Sequence, residues 1–349
     1  MRSIELFCGA GGLAIGLRRA SISTVYAVEI DAPAAETFAG HNPDANLFTA
    51  DVRCVDLKAF RGRVDLVSGG PPCQPFSSGG LRGATGDQRD MIPFFLKALA
   101  DVRPDGFLME NVPGLTVGSR GRYLSEIIGE FRSLGYFVSW KVLNAAYFGV
   151  PQIRRRLFVV GLRGRLFKFP SETHGPGRKF DYIRVNDVLP PHQIGEPNPS
   201  QVFYAKNPEL RPNPYHGHLF NGGGRAIERN RPSPTILASA GGNKTHFFDD
   251  LNLVPDYHAH LASGGQPRVG VLEGARRLTV LESAVIQTFP ADLSFSGPRS
   301  SQYEQIGNAV PPLLAEVLGK AIVEQMAGQA TAGPGAEEQQ YRQPLLTFA

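Results

Sequence analysis

The first half of the chain alternates short apolar runs with amphipathic segments. The apolar runs have the length of buried strands and lie at Ser3–Phe7, Val25–Val28, Val64–Val67, Gly106–Met109 and Leu157–Val160. Helical segments are predicted between them, including Gly12–Arg19 and residues 124–134, which end before a glycine at position 135. Strands that alternate with helices predict an α/β fold with a mostly parallel sheet.

The pattern changes over residues 171–267, where proline and glycine clusters replace helical periodicity. Aromatic residues are interspersed there, which favours a folded, loop-rich domain over a disordered insertion. Helical patterns return at Thr279, which begins a capping box with Glu282, and over residues 312–326. Residues 328–349 are rich in Gly, Ala, Gln and Glu, so we expect a disordered tail.

Composition excludes several classes of protein. Three cysteines (Cys8, Cys54, Cys73) are too few and too scattered for a disulfide framework or a structural zinc site, so we expect no bound metal and a reducing, cytoplasmic location. Apolar runs stay shorter than the roughly 20 residues that span a membrane. The net charge is +4, and basic residues concentrate over residues 151–168 and 222–244, which predicts phosphate contacts in both regions.

A glycine-rich turn, Phe7-Cys-Gly9-Ala-Gly11-Gly12, joins the first predicted strand to its helix. Such turns let backbone approach a ligand at a helix N-terminus, although this one matches neither the dinucleotide fingerprint nor a P-loop. Glu29 ends the second strand, where an acid can bind ribose hydroxyls. Asp51 could accept from an adenine amino group. Either acid could instead cap a helix.

Cys73 follows the strand Val64–Val67 in the stretch Gly-Gly-Pro-Pro-Cys-Gln-Pro-Phe-Ser. Prolines on both sides stiffen the backbone, which favours a positioned nucleophile if a base or a depressed pKa supplies the thiolate. Glu110 follows another strand, where apolar walls can raise a carboxyl pKa and make it a general acid. In Gln152-Ile-Arg154-Arg-Arg156, alternation predicts that Arg154 and Arg156 point the same way, towards a shared anion or carbonyl.

Taken together and in order, these motifs resemble those of the cytosine carbon-5 DNA methyltransferases of bacterial restriction-modification systems. The resemblance extends to Arg277-Leu-Thr-x-x-Glu282 and Gln305-Ile-Gly-Asn308-Ala-Val-Pro-Pro312. It implies a Rossmann-like methyltransferase sheet, S-adenosyl-L-methionine as cofactor and duplex DNA as substrate. The implied reaction is methylation of carbon 5 of a flipped-out cytosine through a covalent Cys73 adduct, with Glu110, Arg154 and Arg156 as the other catalytic residues.

The resemblance also implies binding residues. The cofactor residues are Phe7, Gly9, Gly11, Gly12, Glu29, Ile30, Asp51, Val52, Pro72, Ile92 and Asn308. The candidate DNA contacts are Ser77, Arg225, Arg229, Arg231 and Thr235, the last in a threonine–aliphatic pair typical of target-recognition regions. Leu281 and Asp90 depart from the family pattern outside the catalytic motifs.

The implied organisation is a discontinuous catalytic domain of residues 1–170 plus 300–327 and a target-recognition domain of residues 171–299. We expect a monomer, paired in function with a cognate restriction endonuclease and independent of membranes. Two alternatives stay open at this point: a tRNA cytosine methyltransferase, and a catalytically silent paralogue that only binds DNA.

Overall fold

A computed structural model describes residues 1–72, 90–216, 219–221 and 223–328 of the chain. Cys73 and Ser77 lie outside the described residues, as do residues 329–349 of the predicted tail.

A seven-stranded sheet with the order β3-β2-β1-β4-β5-β7-β6 forms the centre of the molecule. Its strands are β1 Arg2–Leu6, β2 Ser23–Glu29, β3 Asn46–Thr49, β4 Leu66–Gly69, β5 Gly106–Asn111, β6 Phe137–Asn144 and β7 Arg155–Leu162. The first five are parallel, and β7 is antiparallel to both β5 and β6. The predicted α/β fold with a mostly parallel sheet is confirmed.

Helices cover both faces of the sheet because its strands bury side chains in both directions. The described helices are α1 Gly12–Arg19, α2 Ala32–His41, α3 Ile92–Val102, α4 Ser119–Ser133, α5 Val185–Val188, α6 Leu253–Ala262, α7 Val280–Ile286, α8 Arg299–Asn308 and α9 Pro312–Ala327. In β5, Phe107 and Met109 pack in the same core as residues of α3 and α4. Leu108, between them, packs in the other core with residues of α1 and α9.

Two small residues let the first and last helices pack closely. A Cβ atom on Gly16 would lie 2.3 Å from the carbonyl oxygen of Pro312, and one on Gly12 would lie 2.5 Å from that of Val310. By length and composition alone, Arg299–Ala327 would pass for a membrane span. In the structure it forms two helices, and α9 buries Leu314 and Leu318 in the core beside α1.

Residues 171–298 add irregular segments around two small antiparallel sheets. These pair β8 Phe203–Tyr204 with β9 Phe220–Asn221, and β10 Phe247–Asp249 with β11 Ala275–Arg277. A separate apolar cluster around Phe247 and Tyr257 supports them. The predicted capping box is present: Thr279 accepts from the backbone of Glu282, and the Glu282 carboxylate accepts from the backbone of Thr279.

Candidate active site

The functional motifs meet at one edge of the sheet. Parallel strands bring the carboxyl ends of β1, β4 and β5 to this edge, and antiparallel β7 begins there. The glycine-rich turn, Gly70–Pro72, Glu110 and Arg156 are therefore gathered from four separate parts of the sequence. This is the edge at which open α/β sheets usually bind ligands.

A cavity of about 270 Å³ opens beside the glycine-rich turn. It is lined by Phe7, Val28, Glu29, Ile30, Ala50, Asp51, Val52, Arg53, Pro72 and Met91. The Ile30 side chain is 66% exposed, which leaves an apolar surface free to pack on a planar ligand. Six of the predicted cofactor residues thus share one cavity wall.

The glycine-rich turn has the backbone geometry that its sequence requires. Gly9 and Gly11 have φ angles of +52° and +80°, in the left-handed region that side chains disfavour. Space is open within 4 Å of where a Cβ of Gly9 would stand, so a ligand can approach this backbone closely. Gly12 instead serves packing, because it begins α1 against the segment before α9.

Glu29 ties β2 to this turn. One carboxylate oxygen accepts from the backbone N–H of Gly9 at 2.8 Å, and the other accepts from Ile30 at 2.8 Å and Asp31 at 2.9 Å. The carboxylate is thereby fixed at the cavity wall. Asp51 has a partner that the motifs did not reveal: Arg53 donates from Nε at 2.9 Å to each carboxylate oxygen. These hydrogen bonds lower the pKa of Asp51.

Two predicted cofactor residues lie away from that wall. Ile92 was expected in the pocket, but it begins α3 and its side chain is completely buried in the core. The preceding residue, Met91, lines the cavity instead. Asn308 is exposed at the end of α8, two residues before the Val310 carbonyl that packs on Gly12. It therefore returns to the glycine turn from the far end of the chain.

Glu110 and Arg156 form an ion pair, with Arg156 Nε 3.1 Å from Glu110 Oε1. Burial raises the pKa of Glu110, and the positive charges of Arg156 and Arg154 offset only part of that rise. The other carboxylate oxygen lies against Gly70, where a Cβ would approach it to 3.1 Å. Next to it, Asn111 donates from Nδ2 to the carbonyl of Pro71 at 3.0 Å. The carboxyl group is therefore suited to general acid chemistry beside the residues that precede Cys73.

The charges of Arg154 and Arg156 both act on Glu110, and the ion pair with its carboxylate is made by Arg156. Arg154 precedes β7, is 1% exposed, and donates to the carbonyls of Ile236 at 3.2 Å and Gly307 at 2.7 Å. Burial lowers its pKa to about 9. Gln152 accompanies it, accepting from the Ile236 N–H at 3.0 Å and donating to Gln287 at 2.7 Å. The structure places Arg154 as a buried link to residue 236 and α8.

The segments on either side of residues 73–89 lie next to each other. The N–H of Met91 donates to the carbonyl of Pro72 at 2.9 Å. Pro71 is hydrogen-bonded to Asn111, so the residues that flank the segment 73–89 on both sides lie close to Glu110. Asn111 belongs to the predicted acid motif that begins at Glu110, but no separate role was predicted for it.

The residues predicted to contact DNA differ in the exposure and in the bonding partners of their side chains. Thr235 donates its hydroxyl to the carbonyl of Ile153 at 2.6 Å, next to the arginine motif. Arg225 is exposed, and Arg231 is exposed with a 3.6 Å ion pair to Glu228. Arg229 is instead used internally: its guanidinium lies 3.7 Å from the centre of the Phe248 ring and its Nε 3.0 Å from Asp250.

The first predicted basic region is divided by the sheet. Arg156 stands at the site, but Arg163 and Arg165 follow β7 at the opposite edge, roughly 25 Å away along an eight-residue strand. Arg163 donates to the carbonyl of Pro104 and Arg165 to that of Gly328. Phosphate contacts from residues 151–168 stay a prediction, but β7 places Arg163 and Arg165 at the opposite end of the sheet from Arg156.

Comparison with known proteins identifies the class to which this fold and site belong. Residues 1–324 match the family model of the C-5 cytosine-specific DNA methylases. The chain belongs to the C-5 cytosine-specific DNA methylase family, as the motifs predicted.

Relatives agree with this assignment, and a solved structure shares the fold. The chain is 34% identical over 333 residues to Type II methyltransferase M1.HphI of Haemophilus parahaemolyticus, covering 92% of this chain and 86% of that protein. It is 32% identical over 331 residues to Type II methyltransferase M.NgoMIV of Neisseria gonorrhoeae, covering 92% and 97%. The fold is shared with the S. pombe Dnmt2 methyltransferase, with a TM-score of 0.67, 17% identity and coverage of 95% and 100%.

Proposed function

We propose that this enzyme transfers a methyl group from S-adenosyl-L-methionine to carbon 5 of a flipped-out cytosine in a specific duplex DNA sequence, through a covalent Cys73 adduct. The observation that carries the proposal is the pairing of Glu110 with Arg156 beside the cavity, at the edge from which the Cys73 segment departs. DNA as substrate agrees with the family of C-5 cytosine-specific DNA methylases.

The residues that line the cavity are chemically suited to hold S-adenosyl-L-methionine. Gly9 leaves room for close backbone approach, exposed Ile30 offers an apolar surface to the adenine, and Glu29 presents a fixed carboxylate to ribose hydroxyls. Asp51 and Val52 would hold the adenine edge, with Phe7 and Pro72 towards the methionine side and Asn308 approaching from α8. When bound, this cofactor supplies a methyl group on a sulfonium centre.

The chain's own residues would activate the cytosine. The Cys73 thiolate forms a bond to ring carbon 6, while Glu110 gives a proton or hydrogen bond to ring nitrogen 3 and Arg156 binds the ring carbonyl. The electron pair released by this addition makes carbon 5 nucleophilic. After methylation, a base removes the carbon-5 proton and the Cys73 sulfur leaves with its bonding electrons. General acid work of this kind typically contributes about 10²–10⁴-fold.

Carbon 6 is buried in a stacked duplex, so the base must be rotated out at a cost of roughly a few kcal/mol. We propose that residues 1–170 and 300–327 form the catalytic domain and residues 171–299 the recognition domain. Arg225, Arg231 and Thr235 are its candidate contacts, with Ser77 on the catalytic side. Arg154 would act by positioning residue 236 against the catalytic domain. A monomer in the bacterial cytoplasm, with a restriction endonuclease as functional counterpart, suits a Type II modification enzyme.

Trapping with 5-fluorocytosine tests the mechanism. Duplex DNA carrying this base should form a covalent protein–DNA complex in the presence of S-adenosyl-L-methionine, because fluorine cannot leave carbon 5 as a proton does. The trapped peptide should contain Cys73. Labelled methyl transfer to tRNA but not to duplex DNA would instead establish the tRNA alternative. Duplex binding without any transfer would establish the silent paralogue.

A further inference from the structure

His246 lies between two predicted DNA-contacting segments and touches both. The backbone N–H of Arg225 donates to its Nδ1 at 3.0 Å, so Nδ1 carries the lone pair. The proton is therefore on Nε2, which donates to the carbonyl of Thr235 at 3.0 Å. One neutral imidazole thus joins the backbones of residues ten apart in sequence, and both of its ring nitrogens are used.

The surroundings hold this imidazole in place. His246 is 5% exposed, and the next residue, Phe247, is completely buried and pairs with Arg277. Arg277 is itself 2% exposed and donates to the carbonyl of Thr245 at 2.5 Å. Gly224 is pressed against the same carbonyl, where a Cβ would come within 2.3 Å. The histidine therefore sits on a rigid support behind the exposed Arg225.

Two hydrogen bonds connect His246 through Thr235 to Ile153, which adjoins the arginine motif. Thr235 accepts from His246 at its carbonyl and donates its hydroxyl to the carbonyl of Ile153. Ile153 directly precedes Arg154, and Arg156 two residues later is paired with Glu110. Displacing the His246 ring would therefore shift Thr235 and Arg225 relative to the arginine motif. His246 would have this effect without touching the ligand itself.

We propose that His246 is a positioning residue for sequence recognition, which fixes the spacing of Arg225 and Thr235 as they meet the target duplex. This rests on the proposed function, because it assumes that the two residues face DNA. Base discrimination depends on side-chain placement to a fraction of an ångström, so a support of this kind affects specificity more than chemistry.

Two conservative variants separate the two bonds. His246→Gln places an amide donor near the former Nε2 and keeps the bond to Thr235, whereas His246→Asn places an acceptor near the former Nδ1 and keeps the bond to Arg225. His258→Gln is the matched control, because His258 also lies within residues 171–299 and contacts a backbone carbonyl, that of Arg211, at 2.6 Å. It touches a different segment from those of Arg225 and Thr235.

The test first maps the sequence methylated by the wild-type enzyme, using bisulfite sequencing of treated DNA. Failure of the wild-type enzyme to methylate any DNA sequence would refute the proposed function itself. Once the recognition sequence is known, kcat/KM is compared between the cognate duplex and duplexes changed at each single base pair. We expect both variants to lose about tenfold or more of this discrimination, at different base positions, with KM for S-adenosyl-L-methionine unchanged.

The pattern across variants decides the outcome. Loss of discrimination at different positions in His246→Gln and His246→Asn, with His258→Gln like the wild type, supports the positioning role. Wild-type discrimination in both His246 variants would overturn it, whether or not their melting temperatures fall. So would an equal loss in all three variants, which would indicate a general loosening of the domain.

Discussion

Arg156 reaches Glu110 from the neighbouring antiparallel strand and holds its carboxyl group with Nε 3.1 Å from Oε1. The contact has two opposing effects. The guanidinium stabilises the carboxylate, yet burial outweighs it and leaves the pKa of Glu110 raised. A carboxyl group arranged in this way stays protonated to higher pH than a free glutamate. The guanidinium beside it is held in a position to bind a carbonyl oxygen of the substrate.

Replacing Glu110 tests the acid role. Glu110→Gln keeps the shape but cannot give a proton, so we expect kcat to fall by about 10²–10⁴-fold. In the wild-type enzyme, activity should decline as pH rises through the raised pKa, because the protonated form is the active one. The variant should lack this alkaline decline in a pH–rate profile. Glu130→Gln, at an exposed position of α4, is the control. An unchanged rate in Glu110→Gln would exclude the acid role.

Replacing Cys73 separates chemistry from binding. Cys73→Ser should abolish methyl transfer, because an alcohol is a far weaker nucleophile than a thiolate at neutral pH. Binding of S-adenosyl-L-methionine, measured by calorimetry, should remain close to that of the wild type. Cys54→Ser is the control, since Cys54 is exposed at the end of the short helical turn that follows Asp51. Normal turnover in Cys73→Ser would remove the proposed nucleophile.

Replacing Arg154 should act on stability and DNA binding together. Arg154→Met leaves the carbonyls of Ile236 and Gly307 buried without their donors, which we expect to lower the free energy of unfolding by about 3 kcal/mol. Urea denaturation measures this. Affinity for duplex DNA should also fall, because residue 236 loses its support. Arg155→Met, at the exposed neighbouring position, should change stability little. Equal stability of both variants would contradict the linking role.

Acid should destabilise the protein through His246. Burial lowers its pKa from 6.5 to about 4, and the charges of Arg225 and Arg277 act in the same direction, against its bond to Thr235. Between these pH values the unfolded chain binds a proton that the folded chain does not. The contribution of neutral His246 to the free energy of unfolding is therefore fully present above pH 6.5 and is lost as pH falls towards 4. We expect a loss of about 2 kcal/mol between pH 7 and pH 5.

The control for this pH effect is the same residue without a titrating ring. His246→Gln should show a smaller loss of unfolding free energy over the same range, measured by urea denaturation at each pH. If the wild type and His246→Gln lost stability in parallel, the acid sensitivity would come from other groups.

Most of the sheet followed from apolar runs. Strands β1, β4 and β5 are almost completely buried, and β2 carries the run Val25–Val28 although it is only partly buried. Strand β6 was not predicted. Its residues Ser139, Trp140 and Lys141 are only partly buried, since β6 is the last strand of the sheet, and an edge strand gives a weaker signal. The reversal of β7 was equally invisible, because an apolar run carries no direction.

The site was predictable where motifs carry chemistry and unpredictable where it depends on packing. The family resemblance assigned Glu110 and Arg156 to one catalytic site, and in the structure they lie 3.1 Å apart. The pairing of Asp51 with Arg53 required coordinates, although the two residues are close in sequence. The role of His246 could not be predicted from sequence, because it depends on hydrogen bonds to the backbone of Arg225 and Thr235, which are distant in sequence.

The packing of Pro312 on Gly16 has a consequence for how the enzyme is made. Helix α1, which directly follows the glycine-rich turn, has its partner helix at residues 312–327, far downstream in the chain. A ribosome-bound chain that has emerged only as far as the recognition segments still exposes the apolar side of α1. The packing that supports the glycine-rich turn is therefore completed only after α9 has been translated, and a chain truncated before α9 would lack it.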